Sequence, residues 1–333
     1  MIKIAIIGCG LIGQKRAKAI AAIDGAQLVA CVDTEWSRAQ SLASHYRSVA
    51  FDDYRAMLVN ANPDAVIIAT THESLSALGA AVLHANKHLF LEKPAGRNTA
   101  EIETLLPLAH EHKTCVRVGF NHRYHRAFQK AKTLIDQGSI GELLFVRARY
   151  GHGGRVGYDK EWRANPALSG GGELIDQGVH LIDLSRWLLG DFSDISGFAH
   201  TYFWDMPVED NGFMLLKTPT NKVAFLHASC TEWKNIFSFE IYGKIGKLHI
   251  NGLGGSYGVE SLAFYKMSPQ MGPPETTIEE YPMADPSWEL EISEFVDDIR
   301  MQRQPSPNLE DAYAALKVVE HIYELSVDAT CAS

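Results

Sequence analysis

The sequence predicts an α/β chain in two parts: a doubly wound parallel sheet, then an α+β part built on a largely antiparallel sheet. Three observations lead there. The first 120 residues alternate apolar runs with helical periodicity, closely spaced strand signals replace that alternation after Arg123, and 333 residues exceed what one core normally holds. The expected domains are 1–122 and 123–333.

In the first part, Ile2–Gly8, Leu28–Val32, Ala65–Ala69, Leu89–Leu91 and Val116–Gly119 are short apolar runs, the pattern of strands buried on both faces. A weaker strand covers Ser48–Phe51. Between them, Gln14–Ile23, Trp36–His45, Leu75–Ala85 and Thr99–His112 repeat apolar residues at helical spacing. Repeated strand–helix units connect by right-handed crossovers, which makes the sheet parallel and covers both of its faces.

After Arg123 a helix over Ala127–Gln137 stops at Gly138, and a strand follows at Glu142–Tyr150. The glycine-rich Gly151–Gly157 leads towards a second helix, about Glu173–Leu189. Strand candidates then run Ile195–Phe203, Asn211–Lys217, Lys222–Cys230, Ser238–Tyr242, Lys247–Ile250, Val259–Tyr265 and Thr277–Tyr281. Thr218–Asn221 and Gly243–Gly246 read as hairpin turns, hence the antiparallel expectation. Two amphipathic helices, Trp288–Met301 and Leu309–Leu325, flank Pro305-Ser306-Pro307.

Charge limits the partners. Lys and Arg number 31 against 40 Asp and Glu, a net charge of −9. The stretch His112–Arg163 runs the other way, with eleven basic and four acidic residues, a balance of +7. There is no broad basic face for nucleic acid, whereas a compact basic pocket for one small anion fits. No apolar run reaches the ~20 residues of a membrane helix, and strand-like sequence from Ile2 leaves no room for a signal peptide. Cys9, Cys31, Cys115, Cys230 and Cys331 form no C-x-x-C pair, so neither a zinc site nor a disulfide frame is expected. The first three, on or beside strands, read as small buried hydrophobes, and a reducing cytoplasm is the expected location.

Gly8-Cys9-Gly10-Leu11-Ile12-Gly13 is G-x-G-x-x-G directly after a strand and opening a helix. The first glycine makes the turn, the second lets backbone approach a pyrophosphate, and the third lets helix and strand pack closely. The helix N-terminus faces the negative charge. Asp33, twenty residues beyond Gly13 at the end of the second strand, makes the motif specific. Its carboxylate can hold ribose hydroxyls and would repel a 2′-phosphate, so NAD is favoured over NADP. Arg38, which could reach a phosphate, pulls the other way.

Two further runs carry chemistry. Glu92-Lys93-Pro94 ends the strand Leu89–Leu91, where side chains emerge at the ligand end of a parallel sheet. Ser169 to His180 reads S-G-G-G-E-L-I-D-Q-G-V-H, which sets Asp176 and His180 four apart on one helix face. A surface Asp–His pair would explain the latter alone, but the upstream glycine triplet suggests backbone that approaches a ligand closely. An ammonium, a carboxylate and an imidazole are the equipment for hydride transfer at an alcohol carbon. His180 takes the hydroxyl proton, and Lys93 stabilises charge on the same oxygen.

Taken together, these motifs resemble the Gfo/Idh/MocA family of sugar and polyol oxidoreductases over essentially the whole chain. The resemblance implies a Rossmann domain followed by an α/β domain with a large open sheet, a homodimer or homotetramer, and a catalytic set matching Lys93, Asp176 and His180. The family often shows T-P-x-x-x-H after the fourth strand. Here the chain reads Thr70-Thr71-His72-Glu73-Ser74-Leu75, and Thr70 and His72 are assigned to the nicotinamide side. Glu92 joins the cofactor set with Gly8, Gly10, Leu11, Ile12, Gly13, Asp33 and Lys93.

For the substrate, Asn121, Arg123, Arg155, Trp162 and Arg163 join Asp176 and His180, since arginine forks bind carboxylate or phosphate and aromatic faces suit sugar rings. With the local excess of positive charge, they lead us to expect an acidic or nucleotide-linked sugar. Three alternatives stand beside it: a neutral polyol or inositol dehydrogenase, a redox-neutral NAD-using glycosidase or epimerase, and a non-catalytic NAD sensor. His122-x-x-His125 has metal-like spacing but no nearby carboxylate or cysteine in sequence to complete a shell, so no metal is expected.

Overall fold

The computed structural model describes residues 1–112, 114–270 and 272–331. The chain divides into two compact units, Met1–Asn121 with Trp288–Tyr313, and His122–Ser287 with the chain from Ala314 onward. Ala332 and Ser333, the last residues of the expected second domain, lie outside the described residues, as does the side chain of Cys331.

The first unit is a six-stranded parallel sheet in the order β3-β2-β1-β4-β5-β6, with β1 Ile2–Ile7, β2 Ala26–Val32, β3 Val49–Phe51, β4 Ala65–Ile68, β5 His88–Glu92 and β6 Val116–Gly119. This is the doubly wound order with its crevice between β1 and β4. Every residue of β4 is buried, as a strand covered on both faces must be. Helices α1 Leu11–Ala22, α2 Trp36–Tyr46 and α4 His72–His84 fall where the periodicity put them. One short helix, α3 Tyr54–Asn60, was not anticipated; Asp53 caps it by accepting the Arg55 amide at 3.1 Å. The single helix expected over Thr99–His112 is instead two, α5 Thr99–Glu103 and α6 Leu106–His112. Pro107 explains the break, since proline is accommodated in a first turn and not within a helix.

Residues 288–313 belong to the first unit, unlike the expected division at 122/123. The reason is apolar burial. On α10 (Ser287–Met301), Ile292, Phe295, Val296 and Ile299 share one core with Ile4, Ile6, Ile20 and Cys115. Burying each such large side chain contributes ~1.5–3 kcal/mol. Arg117 of β6, fully buried, is paired with Asp298 of the same helix.

The second unit holds an eight-stranded sheet, β14-β13-β12-β11-β7-β10-β9-β8. Its strands are β7 Leu143–Gly151, β8 Asp194–His200, β9 Asn211–Lys217, β10 Val223–Ser229, β11 Ile236–Gly243, β12 Gly246–Asn251, β13 Glu260–Lys266 and β14 Glu275–Tyr281. All neighbours are antiparallel except β7 and β10. Both hairpin turns stand where the sequence placed them. β8 stops at His200, short of Phe203, because Asp210 accepts the amides of Tyr202, Phe203 and Trp204 and turns the chain away. Helices α7 Arg126–Asp136, α8 Pro166–Ser169, α9 Val179–Leu189 and part of α11 Leu309–Cys331 complete this unit.

Candidate active site

The glycines of the first turn are not interchangeable. Gly8 has φ +94°, and a Cβ there would stand 2.4 Å from the Ala69 carbonyl oxygen and 3.0 Å from Thr70 Cγ2. A Cβ on Gly13 would stand 1.9 Å from the Gly8 oxygen, so the helix sits directly on its own turn. A Cβ on Gly10, by contrast, would meet no atom within 4 Å beyond its chain neighbours. Two glycines thus shape the loop and one leaves an open face at the N-terminus of α1, which begins with Leu11 and Ile12. Asp33 stands beside it: Oδ2 accepts the Cys9 amide at 2.8 Å and Oδ1 the Glu35 amide at 2.9 Å. Each carboxylate oxygen keeps a lone pair for a ribose hydroxyl. These residues fit a bound dinucleotide.

Arg38 is exposed and paired with Glu35 at 2.8 Å. It lines a groove of about 440 Å³ with Cys9, Gln14, Ser37 and Ser41. Thr70 lies against the Gly8 turn and accepts the Ser74 hydroxyl at 2.8 Å, while His72 is buried in the first turn of α4.

Glu92 is better read as an anchor than as a cofactor ligand. Its Oε1 accepts Nε of Arg16 at 2.6 Å, and Nη1 of Arg16 reaches Glu291 Oε2, also at 2.6 Å. The Arg16 guanidinium is wholly buried between the rings of Phe90 and Trp288. This network fixes the strand end from which half-buried Lys93 projects; Lys93–Pro94 is a cis peptide. Burial, with Glu92's charge adding and Arg16's pull opposing, pushes Glu291 up to about 7.

In the second unit the glycine triplet has a different reason from the expected one. A Cβ on Gly171 would stand 2.0 Å from the Tyr323 hydroxyl, and one on Gly172 at 2.0 Å from the Glu209 carbonyl oxygen. Gly171 and Gly172 make room for protein, while Gly170, with φ +80°, makes the turn that ends α8. Glu209 then clamps the segment, accepting the Gly172 amide at 2.9 Å, the Leu174 amide at 3.0 Å and the Tyr323 hydroxyl at 2.8 Å. Leu174–Gly178 is a single π-type turn running into α9, so the helix expected from Glu173 is locally widened, a feature frequent at functional sites. Asp176 and His180 on this stretch are both buried.

Asp176 Oδ2 accepts Nε of Arg163 at 2.7 Å, and the Arg163 guanidinium lies over the Trp162 ring. Asp176's charge holds Arg163 above its ordinary pKa. His180 stacks on His122 with ring centroids 3.7 Å apart. Tyr150 and Tyr257 meet edge to face at 5.0 Å; burial raises both, Tyr257 to about 12, so both remain neutral phenols. Burial works against a charged His152, but the hydrogen bond and charge of Glu173 outweigh it and raise its pKa. Tyr150 and His152, two residues apart at the end of β7, lie in the Arg147–Arg155 segment that the sequence marks ahead of the catalytic helix, though it assigns them no role; Tyr257, Glu209 and Tyr323 lie on separate elements without a local motif and are missed.

The arginines expected to line an anionic pocket have carboxylate partners within the protein. Arg123 makes a buried two-point pair with Asp183, at 2.8 Å from Nε and 2.5 Å from Nη2. Arg155 is exposed and paired with Glu161. Arg147 pairs with Glu240 and Lys130 with Glu279. Arg117, Arg123, Lys130 and Arg147 of the +7 stretch are met by carboxylates from distant parts of the chain, a neutralisation no local count can see. Asn121, buried at the exit of β6, belongs to the first unit. His122 and His125 are buried, and no group of three His, Cys, Asp or Glu side chains that could hold a metal occurs among the described residues.

A doubly wound sheet with an open glycine cradle and a carboxylate at its second strand defines a dinucleotide-binding protein; the second unit adds a buried Asp–His helix on a large open sheet. Residues 2–120 match the family profile described as oxidoreductase family, NAD-binding Rossmann fold, and residues 128–249 match the GFO/IDH/MocA C-terminal domain. The chain belongs to the Gfo/Idh/MocA family. It is 29% identical over 194 residues to inositol 2-dehydrogenase of Salmonella typhimurium, covering 57% of this chain and 55% of that protein. It is likewise 29% identical over 168 residues to levoglucosan dehydrogenase of Pseudarthrobacter phenanthrenivorans, covering 50% and 43%. The chain thus aligns with only about half the length of these relatives. Among solved structures, levoglucosan dehydrogenase in complex with NADH and L-sorbose superimposes with a TM-score of 0.87 at 22% identity, covering 98% of each chain, which speaks for the fold. No helix among the described residues is long and apolar enough to cross a membrane.

Proposed function

We propose that this chain is an NAD-dependent dehydrogenase acting on a secondary alcohol of a neutral, polyhydroxylated ring, a sugar or cyclic polyol. The observation that carries the reading is the buried Asp176–His180 helix, whose neighbours Tyr150 and Tyr257 are neutral donors and whose Arg163 is already paired. A ligand bearing several hydroxyls suits such groups; a carboxylate or phosphate would find no unpaired cation at Arg123, Arg155 or Arg163. The relatives named for inositol and levoglucosan support the same class.

Bound NAD supplies the hydride acceptor, the nicotinamide C4. The chain's own residues do the rest. Gly8, Gly10 and Gly13 shape the pyrophosphate loop, and Asp33 holds the ribose, which favours NAD over NADP. His180 accepts the substrate hydroxyl proton on an imidazole nitrogen. Lys93, as ammonium, hydrogen-bonds the same oxygen, and Asp176 orients a neighbouring hydroxyl.

Myo-inositol, levoglucosan, a methyl glucoside, a uronate and a nucleotide sugar, each offered with NAD and with NADP, test this reading by nicotinamide absorbance. The expected result is NAD reduction by one of the neutral compounds. Turnover of the anionic compounds alone would reverse the substrate class, and product without net NADH would point to the redox-neutral chemistry.

One face of the eight-stranded sheet leaves Phe198, Leu215 and Phe225 half exposed, with Leu215 opposite Phe225 across β9 and β10. We propose that a second copy of the chain covers this face in a homo-oligomer; light scattering of a Phe225→Glu variant should report monomer. The free, buried Cys9, Cys31, Cys115 and Cys230 suit a reducing cytoplasm.

A further inference from the structure

The rings of His122 and His180 lie face to face, 3.7 Å between centroids and 13° from parallel. Tyr150 on β7 flanks them at 5.3 Å from His122 and 6.3 Å from His180, and Phe237 on β11 stands 6.2 Å from His122. His125 meets His122 edge-on at 5.6 Å. Behind His125, Glu260 of β13 lies 2.9 Å and Asp285 3.6 Å from its Nδ1. On the helical stretch of His180 itself, Asp176 is tied to Arg163 and Asp183 to Arg123. Reading His180 as the proton acceptor leaves the stacked ring of His122 without a role.

Resting on that reading, we propose that His122 is a positioning residue for His180: its ring fixes the plane of the catalytic imidazole and restricts the stacked pair to one positive charge. Two imidazolium rings at that separation inside protein would repel strongly, so the pair titrates as a unit and not as two independent groups. Whenever His122 carries the charge, His180 stays neutral and ready to accept a substrate proton. The stack therefore extends the pH range of the base downward. It also holds the ring in one orientation without engaging its nitrogens.

Two variants separate these effects. His122→Phe keeps a flat ring to stack and removes the titrating nitrogens, whereas His122→Ala removes both. Full-length protein labelled at histidine Cε1 is titrated by NMR, with the His180 signal assigned by its loss in His180→Gln. In the wild type that signal should respond to pH in two steps. In His122→Phe it should follow a single step displaced to higher pH. An unchanged His180 titration in His122→Phe would overturn the proposal, and this readout needs no substrate.

With NAD and myo-inositol or levoglucosan, His122→Phe should keep kcat on the pH plateau within about threefold while the acidic limb of kcat/KM moves up. His122→Ala should lower the plateau kcat tenfold or more with NAD affinity intact. Absence of turnover by wild type on every compound would count against the dehydrogenase reading, and the NMR titration would still decide the role of His122. Equal losses of kcat in both variants with no displaced limb would reduce His122 to packing and sink the proposal.

Discussion

Tyr323 donates its hydroxyl to Glu209 Oε1 at 2.8 Å at the point where a side chain on Gly171 would collide with it. Glu209 also accepts the Gly172 and Leu174 amides, so one buried carboxylate joins the C-terminal helix to the start of the Asp176–His180 segment. Gly172→Ala would press a methyl to 2.0 Å from the Glu209 backbone oxygen, which cannot swing away. We expect overpacking of that kind to cost about 1–3 kcal/mol, and the shift it forces on Asp176 to lower kcat beyond the loss of stability. Gly171→Ala meets the Tyr323 hydroxyl at 2.0 Å and its ring carbon Cζ at 2.7 Å, so Tyr323→Phe in the same chain removes the nearer clash and should restore only part of its melting temperature.

Burial of Arg16 between two acids sets up a second prediction. Arg16→Met leaves Glu92 and Glu291 buried without their common cation, and breaking such a pair typically costs ~3–5 kcal/mol. Urea unfolding should show a loss of that order. A loss under 1 kcal/mol would mean that the network is not what anchors the strand end before Lys93.

The same network gives a pH dependence. Glu291 is raised from 4.5 to about 7, burial being the main cause. Its stabilising contribution is therefore fully present below 4.5 and is lost as pH rises through about 7. Glu209, raised to about 7 by burial, adds in the same direction. Glu291→Gln should flatten the fall in melting temperature across this window, and an unaltered slope would assign it elsewhere.

The parallel sheet was legible because buried strands must be apolar throughout and helices periodic, so residues such as Ala65–Ile68 announce themselves. The cofactor cradle was legible because its parts are close in sequence, Gly8 to Asp33. What was not legible depended on distant neighbours. The cations of His112–Arg163 looked like an anion site until Asp183, Glu240 and Glu279 arrived from later strands and helices to pair with Arg123, Arg147 and Lys130. The glycine triplet was found, but the cause of two of its members, the bulk of Tyr323 at Gly171 and of Glu209 at Gly172, lies far along the chain. The place of α10 in the first core was hidden for the same reason, since its apolar stripe does not say which core it faces.

Asp33 offers a test of the cofactor reading alone. Its two oxygens already take the Cys9 and Glu35 amides, and the ribose would use the remaining lone pairs. Asp33→Asn keeps the shape but exchanges one acceptor for a donor and removes the charge. Hydrogen bonds to charged groups are worth roughly 1.5–3 kcal/mol, so NAD affinity by calorimetry should fall about tenfold or more. NADP affinity should fall less. An unchanged NAD dissociation constant would remove Asp33 from the ribose.

The last prediction concerns Lys93 and His180, which are proposed to act on one oxygen. His180→Ala removes a positioned base and should lower kcat by ~10²–10⁴ while NAD still binds. Lys93→Met removes the ammonium that stabilises negative charge on the same oxygen and should cost about 10²–10³. If both groups serve one transition state, the double variant should lose much less than the product of the single losses, because either deletion already disables the step the other assists. Independent roles would instead give multiplicative losses. Single-turnover rates with NAD and the most active neutral compound distinguish the two outcomes, and strict multiplication would separate Lys93 from the proton transfer at His180.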